Sequence, residues 1–284
     1  MVENNAILNR FFTYRILFDL IYGNDNSIYE TVIKRYVSDP EDKDNSKIIS
    51  EIYKFMSEKY RNEYFYQNTL LNKLLLEKHD VDPTTALRQL PIARSKADFV
   101  LINGKAVVYE IKTELDTLER LRMQLTDYYK AFDHVCVVTS ENHYYQVLHI
   151  LSNTPVGIYI LAQGSTTSLI VKKEPTEYNT CLDHTTIFKL LRKREYENIV
   201  LEYYGKLPST PQAFYYNECL RLFSNIPILE AYALTLKELK KRNKIMITKL
   251  DKVPYELKSL AYFSNFSESD WKKFNSFLST RYGR

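Results

Sequence analysis

Apolar residues recur at three- and four-residue spacing over 6–22, 27–37 and 47–59, which predicts three helices at the start of the chain. A charged, proline-containing stretch (SDPEDKDNS, 38–46) separates the second from the third. Residues 61–79 predict a longer helix with Tyr64, Leu71, Leu74 and Leu75 on its apolar side. The period then shortens. Residues 83–93 read as irregular or weakly extended, whereas KADFVLI (96–102) and KAVVYEIK (105–112) are strand-like and flank Asn103-Gly104, a hairpin signal. A helix is predicted over 115–132, with Asp116 and Glu119 spaced as a capping box. A strand at 134–140, a helix at 142–153, a strand at 156–163 and an extended run at 168–173 continue the alternation. From about residue 183 the pattern is helical: first through Leu190, Leu191 and Val200, then Phe214, Leu220 and Leu222, then Leu234 and Leu236, and last Trp271, Phe274 and Leu278. This order predicts an α/β core inside helical flanks.

Composition narrows the class. The 284 residues are 45% hydrophobic and 26% charged, enough for a core that needs no staples. Cys136, Cys181 and Cys219 are far apart and form no CxxC pair, so neither a zinc site nor a disulfide framework is expected. The five histidines (His79, His134, His143, His149 and His184) lack metal-ligand spacing and read as structural or exposed. Neither GxSxG, HExxH nor a P-loop occurs. Arg10 and Arg15 interrupt the first apolar run, which fits an amphipathic helix and neither a signal peptide nor a membrane span. A cytoplasmic protein without a membrane partner is expected.

Charge is unevenly spread. Residues 1–185 carry 21 Lys and Arg against 25 Asp and Glu, and residues 186–284 carry 18 against 10. The basic C-terminal part, with its cluster Lys237, Lys240, Lys241, Arg242 and Lys244, reads either as a polyanion-facing surface or as a solvated helix face. The 24 tyrosines include the doublets Tyr144-Tyr145, Tyr203-Tyr204 and Tyr215-Tyr216, which read either as base-stacking platforms or as half-buried helix positions.

Chemistry concentrates in KADFVLINGKAVVYEIKTELD (96–116). Asp98 and Glu110 lie on neighbouring strands, and Lys112 shares the face of Glu110 by the two-residue period. Phe99, Val100, Val107, Val108 and Ile111 surround them, and acids in such a setting are expensive unless paired or bound to a cation. Two carboxylates plus a backbone carbonyl, that of Ile111, make a hard-oxygen set suited to Mg²⁺ or Mn²⁺. The hairpin must have the right parity. A two-residue loop pairs Asp98 with Tyr109 and turns Glu110 away. A three-residue loop, 102–104, pairs Leu101 with Lys105 and Asp98 with Val108, so the site requires this or another odd-length connection.

An Asp followed, after a hairpin, by Glu-x-Lys resembles the PD-(D/E)xK nuclease superfamily. Gln124 and Tyr128 on the next helix resemble the QxxxY signature of its RecB-like branch. The stretch 61–162 resembles a poorly characterised bacterial and phage family with this layout. Ala97 stands where that superfamily often has proline. The resemblance implies that Glu63, Asp98 and Glu110 hold the metal with the Ile111 carbonyl, that Lys112 assists the nucleophile, and that Gln124 and Tyr128 support the site. Glu58, Glu77 and Glu114 compete with Glu63, with Glu114 expected to face solvent. Arg94 and Ser95 read as loop residues or phosphate contacts.

The expected architecture is thus α/β: a restriction-endonuclease-like core, a mixed β-sheet flanked by helices, at 61–175. An N-terminal helical arm (1–60) and a basic helical C-terminal region (176–284) flank it. The expected function is Mg²⁺-dependent cleavage of DNA, in phage–host conflict or DNA processing. The alternatives are a nucleic-acid- or protein-binding regulator on the same fold that does not cut, and a toxin or inhibitor aimed at a protein.

Overall fold

A computed structural model describes residues 5–77, 84–162, 168–242 and 247–283. His79 and Lys244 lie outside the described residues. The first apolar run forms α1 (Ile7–Phe11) and α2 (Tyr14–Ile21) in place of the single helix expected over 6–22. Thr13 between them is extended and accepts from the Ile16 N–H, so it caps a second helix instead of continuing the first. Asn26 and Asp44 cap α3 (Ser27–Tyr36) and α4 (Asn45–Lys59) in the same way. Asn62 caps α5 (Glu63–Leu70), and the chain loosens into a π-helical turn over Leu71–Leu76.

Residues 85–92, expected to be irregular or weakly extended, are a full strand. The sheet comprises β1 (Thr85–Ile92), β2 (Ser95–Asn103), β3 (Lys105–Lys112), β4 (His134–Thr139), β5 (Gly157–Leu161) and β6 (Leu169–Lys173), in that spatial order. Strand β1 is at the sheet's edge, which is where Pro91 can be tolerated because no further strand needs its missing N–H. The β1–β2, β2–β3 and β5–β6 pairs are antiparallel, and β3–β4 and β4–β5 are parallel. The parallel steps cross over through α6 (Leu121–Tyr128) and α7 (Tyr144–Ile150).

Helix α6 is shorter than the 115–132 expected, and the Asp116–Glu119 capping box does not form. Asp116 instead accepts from the N–H and hydroxyl of Thr113, both at 2.8 Å, closing a local turn that delays the helix. After the sheet come α8 (His184–Lys189), α9 (Lys193–Tyr204), α10 (Gln212–Ser224), α11 (Ile228–Lys240), α12 (Ile247–Leu250), α13 (Lys258–Phe263) and α14 (Glu268–Ser279).

The sheet is sandwiched. One face, through Phe99, Val107, Tyr109, Ile111 and Val138, packs on α1–α5 and on the last helices through Leu260, Trp271 and Phe274. The other, through Val100, Val108, Val135, Val137 and Ile158, packs on α6, α7 and α8–α11. The α/β architecture with a mixed sheet and flanking helices is therefore present. Residues 176–284, expected as one region, supply both helical layers. Asn68 of α5, fully buried, ties the first helices to the last within one layer: its amide donates to the Tyr53 hydroxyl and the Tyr255 carbonyl, and its oxygen accepts from the Ser259 N–H.

Replacing Asn68 with alanine leaves those buried main-chain groups unpaired. We expect Asn68→Ala to lower stability by about 2–4 kcal/mol in urea unfolding, at about 1–3 kcal/mol per orphaned group; a loss well under 1 kcal/mol would contradict the role assigned to it.

Candidate active site

The hairpin fixes which carboxylates meet. Asn103 pairs with Lys105 around Gly104, and Phe99 pairs with Tyr109. The three-residue loop 102–104 is thus replaced by a tighter turn of the same odd parity. Gly104 takes the left-handed conformation (φ +69°) that a side chain would resist. Ladder pairing between β2 and β3 ends at Phe99–Tyr109, and beyond it Asp98 Oδ2 accepts the Ile111 N–H at 2.9 Å. The strands fork here, and the Asp98 carboxylate takes the place of the main-chain acceptor. Ile111 enters the site through this N–H.

A second irregularity stands opposite. Arg88 pairs with Phe99 and Leu90 with Ala97, two steps apart on one ladder. Yet Phe99 packs in one core, and Leu90 and Ala97 in the other. The pleat reverses across Gln89, whose φ of +50° is left-handed and costly for a residue with a side chain. The reversal aims the Gln89 amide at two carboxylates, Glu63 Oε1 at 2.8 Å and Asp98 Oδ1 at 3.4 Å. Glu63 opens α5, and Gln67, four residues on, donates to the same oxygen at 2.6 Å.

Glu110 is the buried centre of the cluster, 1% exposed. Lys112 Nζ (2.8 Å) and the Gln124 amide (2.5 Å) donate to its Oε1, and the Tyr128 hydroxyl (2.5 Å) donates to its Oε2. Lys112 also donates to Gln124 Oε1 at 2.9 Å. Gln124 and Tyr128, one turn apart on α6, thus both reach Glu110, as their spacing predicts. Tyr128 also lies 2.9 Å from the Lys96 carbonyl, but its single proton serves the carboxylate, where the charge makes the stronger bond. Burial first, and then the Glu110 charge, hold the phenol in its protonated form.

The carboxylates repel one another. Burial, reinforced by Glu110 and Glu63, pushes the Asp98 carboxyl up to about 8. Glu63 is raised too, by burial and then by Asp116 and Glu110. Asp98 and Glu63 thus hold their protons more tightly than free carboxyls, even with Lys112 beside both and Lys96 acting on Glu63. Among the described residues no three His, Cys, Asp or Glu side chains stand together in ligand geometry, and amide and ammonium donors hold Glu110 and Glu63. The chemistry of the donors nevertheless suits a hard divalent cation: the side-chain ligands are carboxylates, and the raised proton affinity of Asp98 and Glu63 marks a place where added positive charge is favourable.

The competing acids lie elsewhere. Glu58 is exposed, and Glu77 pairs with Lys73 at 2.9 Å. Glu114, expected to face solvent, is drawn inward by the buried Arg61 (3.1 Å) and the Tyr66 hydroxyl (3.1 Å). Ser95, read as a loop residue or phosphate contact, opens β2 instead, and its hydroxyl donates at 2.9 Å to the buried Asp127 of α6. His134 sits 2.8 Å from Asp133, and His184 bonds the Ile226 carbonyl.

The C-terminal basic cluster is largely neutralised. Lys237 pairs with Glu202 at 2.7 Å, Arg242 with Glu195 at 2.6 Å, and Lys241 with Glu238. In each tyrosine doublet one ring is exposed and the other half-buried. The site opens instead on a cleft of about 650 Å³ between the N-terminal arm and β1, lined by Thr13, Tyr14, Tyr60, Glu63, Arg88 and Gln89 among others. Sequence reading passed over Gln89, Gln67 and Arg88. Gln67 had a signal, its four-residue offset from Glu63; Gln89 and Arg88 fell in a stretch with no clear period.

The sequence profile of a family described as bacteriophage P4 protein cII matches residues 56–273. Comparison with curated proteins returns no match. Among solved structures, SPO1766, a protein of unknown function from Silicibacter pomeroyi, is 13% identical with a TM-score of 0.29, over 46% of this chain and 86% of that one. SfsA from Pyrococcus furiosus, solved in complex with Ca²⁺, is 11% identical with a TM-score of 0.27, over 40% and 63%.

A pH signature follows from Asp98. Its folded carboxyl keeps a proton up to about pH 8, whereas the unfolded chain releases it near 3.8. Across that window the folded state holds more protons, so its stability falls as pH rises. In EDTA, we expect Asp98→Asn to melt higher than wild type near pH 8 and to flatten the decline between about pH 4 and 8; equal profiles would contradict the assignment.

Proposed function

This chain belongs to the bacteriophage P4 protein cII family, and we propose that it is a divalent-metal-dependent nuclease that hydrolyses phosphodiester bonds of DNA. One observation carries the reading: Glu63, Asp98 and Glu110 gather beside Lys112 at the fork between two strands, and burial with mutual repulsion raises the proton affinity of Asp98 and Glu63. Binding a protein or small molecule asks for no such concentration of buried acid.

Glu63, Asp98 and Glu110 would hold Mg²⁺ or Mn²⁺, with the Ile111 carbonyl as a further oxygen. Such a cation supplies Lewis acidity toward the phosphate and lowers the pKa of water. Lys112 is held by Glu110 and Gln124 with its ammonium at the acidic cluster, where it orients the attacking water and offsets charge developing on the phosphate. Gln124 and Tyr128 orient Glu110 from opposite oxygens. Gln89 and Gln67 keep Glu63 turned toward Asp98. Hydrolysis adds water across one P–O bond, leaving a phosphate on one fragment and a hydroxyl on the other.

A second reading has its own observation. Both Glu110 oxygens already have protein donors, so that carboxylate is satisfied without a metal. On this reading the chain binds nucleic acid or a protein partner on the same fold and does not cut.

Incubation with linear, circular and single-stranded DNA separates the two. We expect cutting with Mg²⁺ or Mn²⁺, none with EDTA, and a loss of about 100-fold or more in both Asp98→Ala and Lys112→Ala. A folded wild type that leaves every substrate intact with either metal rejects the nuclease in favour of the binding protein.

A further inference from the structure

The cleft beside the carboxylates has a composition of its own. One end is acidic, with Glu63 and Asp116; the rest is lined by Asn9, Thr13, Asn62 and the rings of Tyr14, Tyr60 and Tyr64. Arg88 is the cation in this lining. Among the described residues it makes no ion pair, unlike Arg61, Arg221 and Arg242, which each meet a glutamate. Its guanidinium rests instead on the Phe263 ring, 5.0 Å from the centroid, half-buried. Glu63 of the same lining acts on it through space but forms no direct pair, so the guanidinium, partly stripped of water, keeps its donors for another anion, and its planar fork suits phosphate oxygens.

Tyr14 lines the same cleft. It belongs to α2, is 37% exposed, and is braced by Phe18 with ring centroids 4.5 Å apart. The Tyr14 phenol and Arg88 are electrostatic neighbours, each shifting the other's proton affinity. An exposed, supported ring beside an unpaired guanidinium is the pairing that takes a base and its phosphate together. At about 650 Å³ the cleft has room for about one or two nucleotides.

We propose that this cleft is a nucleotide subsite for the strand, in which Arg88 grips a backbone phosphate and Tyr14 stacks on a base. The proposal rests on the neighbouring carboxylates being a phosphodiester-cutting site, and it assigns the substrate's path: across the N-terminal arm and β1, not along the C-terminal cluster. That cluster is an unsuitable track, since most of its charge is already matched. The arm is then part of the substrate site as well as a packing layer.

The test is binding, read by fluorescence anisotropy of a short labelled single-stranded DNA in EDTA on the Asp98→Asn background, so that affinity is measured independently of cutting. Arg88→Gln is expected to weaken binding about tenfold and to reduce the slope of log affinity against log salt by about one, whereas Arg88→Lys keeps the slope. Tyr14→Ala is expected to weaken binding about tenfold and leave the slope unchanged. Thermal melting of each variant confirms that it folds. Unchanged affinity and slope in folded Arg88→Gln overturn the proposal even if the protein cuts DNA; the expected losses in a protein that never cuts would uphold the subsite and remove only the nuclease.

Discussion

The Glu110 carboxylate is the constraint around which the site is organised. It sits in a central strand, 1% exposed, between Tyr109 and Ile111, which both point into the opposite core. A charge buried there destabilises the fold unless its oxygens are met. Three donors meet them, and each comes with a structural consequence. Lys112 must follow at the same pleat, Gln124 and Tyr128 must share one helix face, and α6 must lie over the end of β3. The crossover between the two parallel strands is thereby fixed in position. The polar network and the fold specify each other.

Around that centre the sheet departs from regularity twice, and both departures serve the same small volume. At the fork, Asp98 gives up main-chain pairing to hold the Ile111 N–H. Across from it, Gln89 accepts a left-handed backbone and reverses the pleat of an edge strand. An edge strand can do this because only one ladder is disturbed. The outcome is that Glu63 of an N-terminal helix and Asp98 of the hairpin share the Gln89 amide, while Glu110 on the second hairpin strand has its own donor in Gln124. Strain of this kind is retained where surrounding packing over-determines it, and the two cores above and below the sheet provide that packing.

The helical flanks are also less separable than their positions in the chain imply. The last helices close over the same face as the first five, and Asn68 joins them by hydrogen bonds that span more than 180 residues. Helices α8–α11 cover the other face and use glutamates to neutralise the basic residues that make the C-terminal part look like a polyanion track. A run of like charges along a sequence is a poor guide to the local surface potential when acids elsewhere in the same region pair with it in the fold.

Local physics made a good part of this legible. The helices at 27–37 and 47–59, the hairpin, the strands at 134–140 and 156–163 and the C-terminal helices follow from periodicity and turn residues. The grouping of Asp98, Glu110 and Lys112 follows from the two-residue period of strands, and that of Gln124 with Tyr128 from the helical turn. What escaped depended on contacts between distant residues. Strand β1 was legible only as a weak extension, blurred by Arg88, Gln89 and Pro91, which its edge position and its neighbours explain. The capping box at Asp116 lost to a closer hydroxyl and N–H on Thr113. Glu114 was drawn inward by Arg61, fifty-three residues before it. The sequence by itself determined which side chains could share a strand or helix face, because those periods are properties of the local backbone. Only the tertiary structure decided which faces meet, because that depends on how two cores close on one sheet.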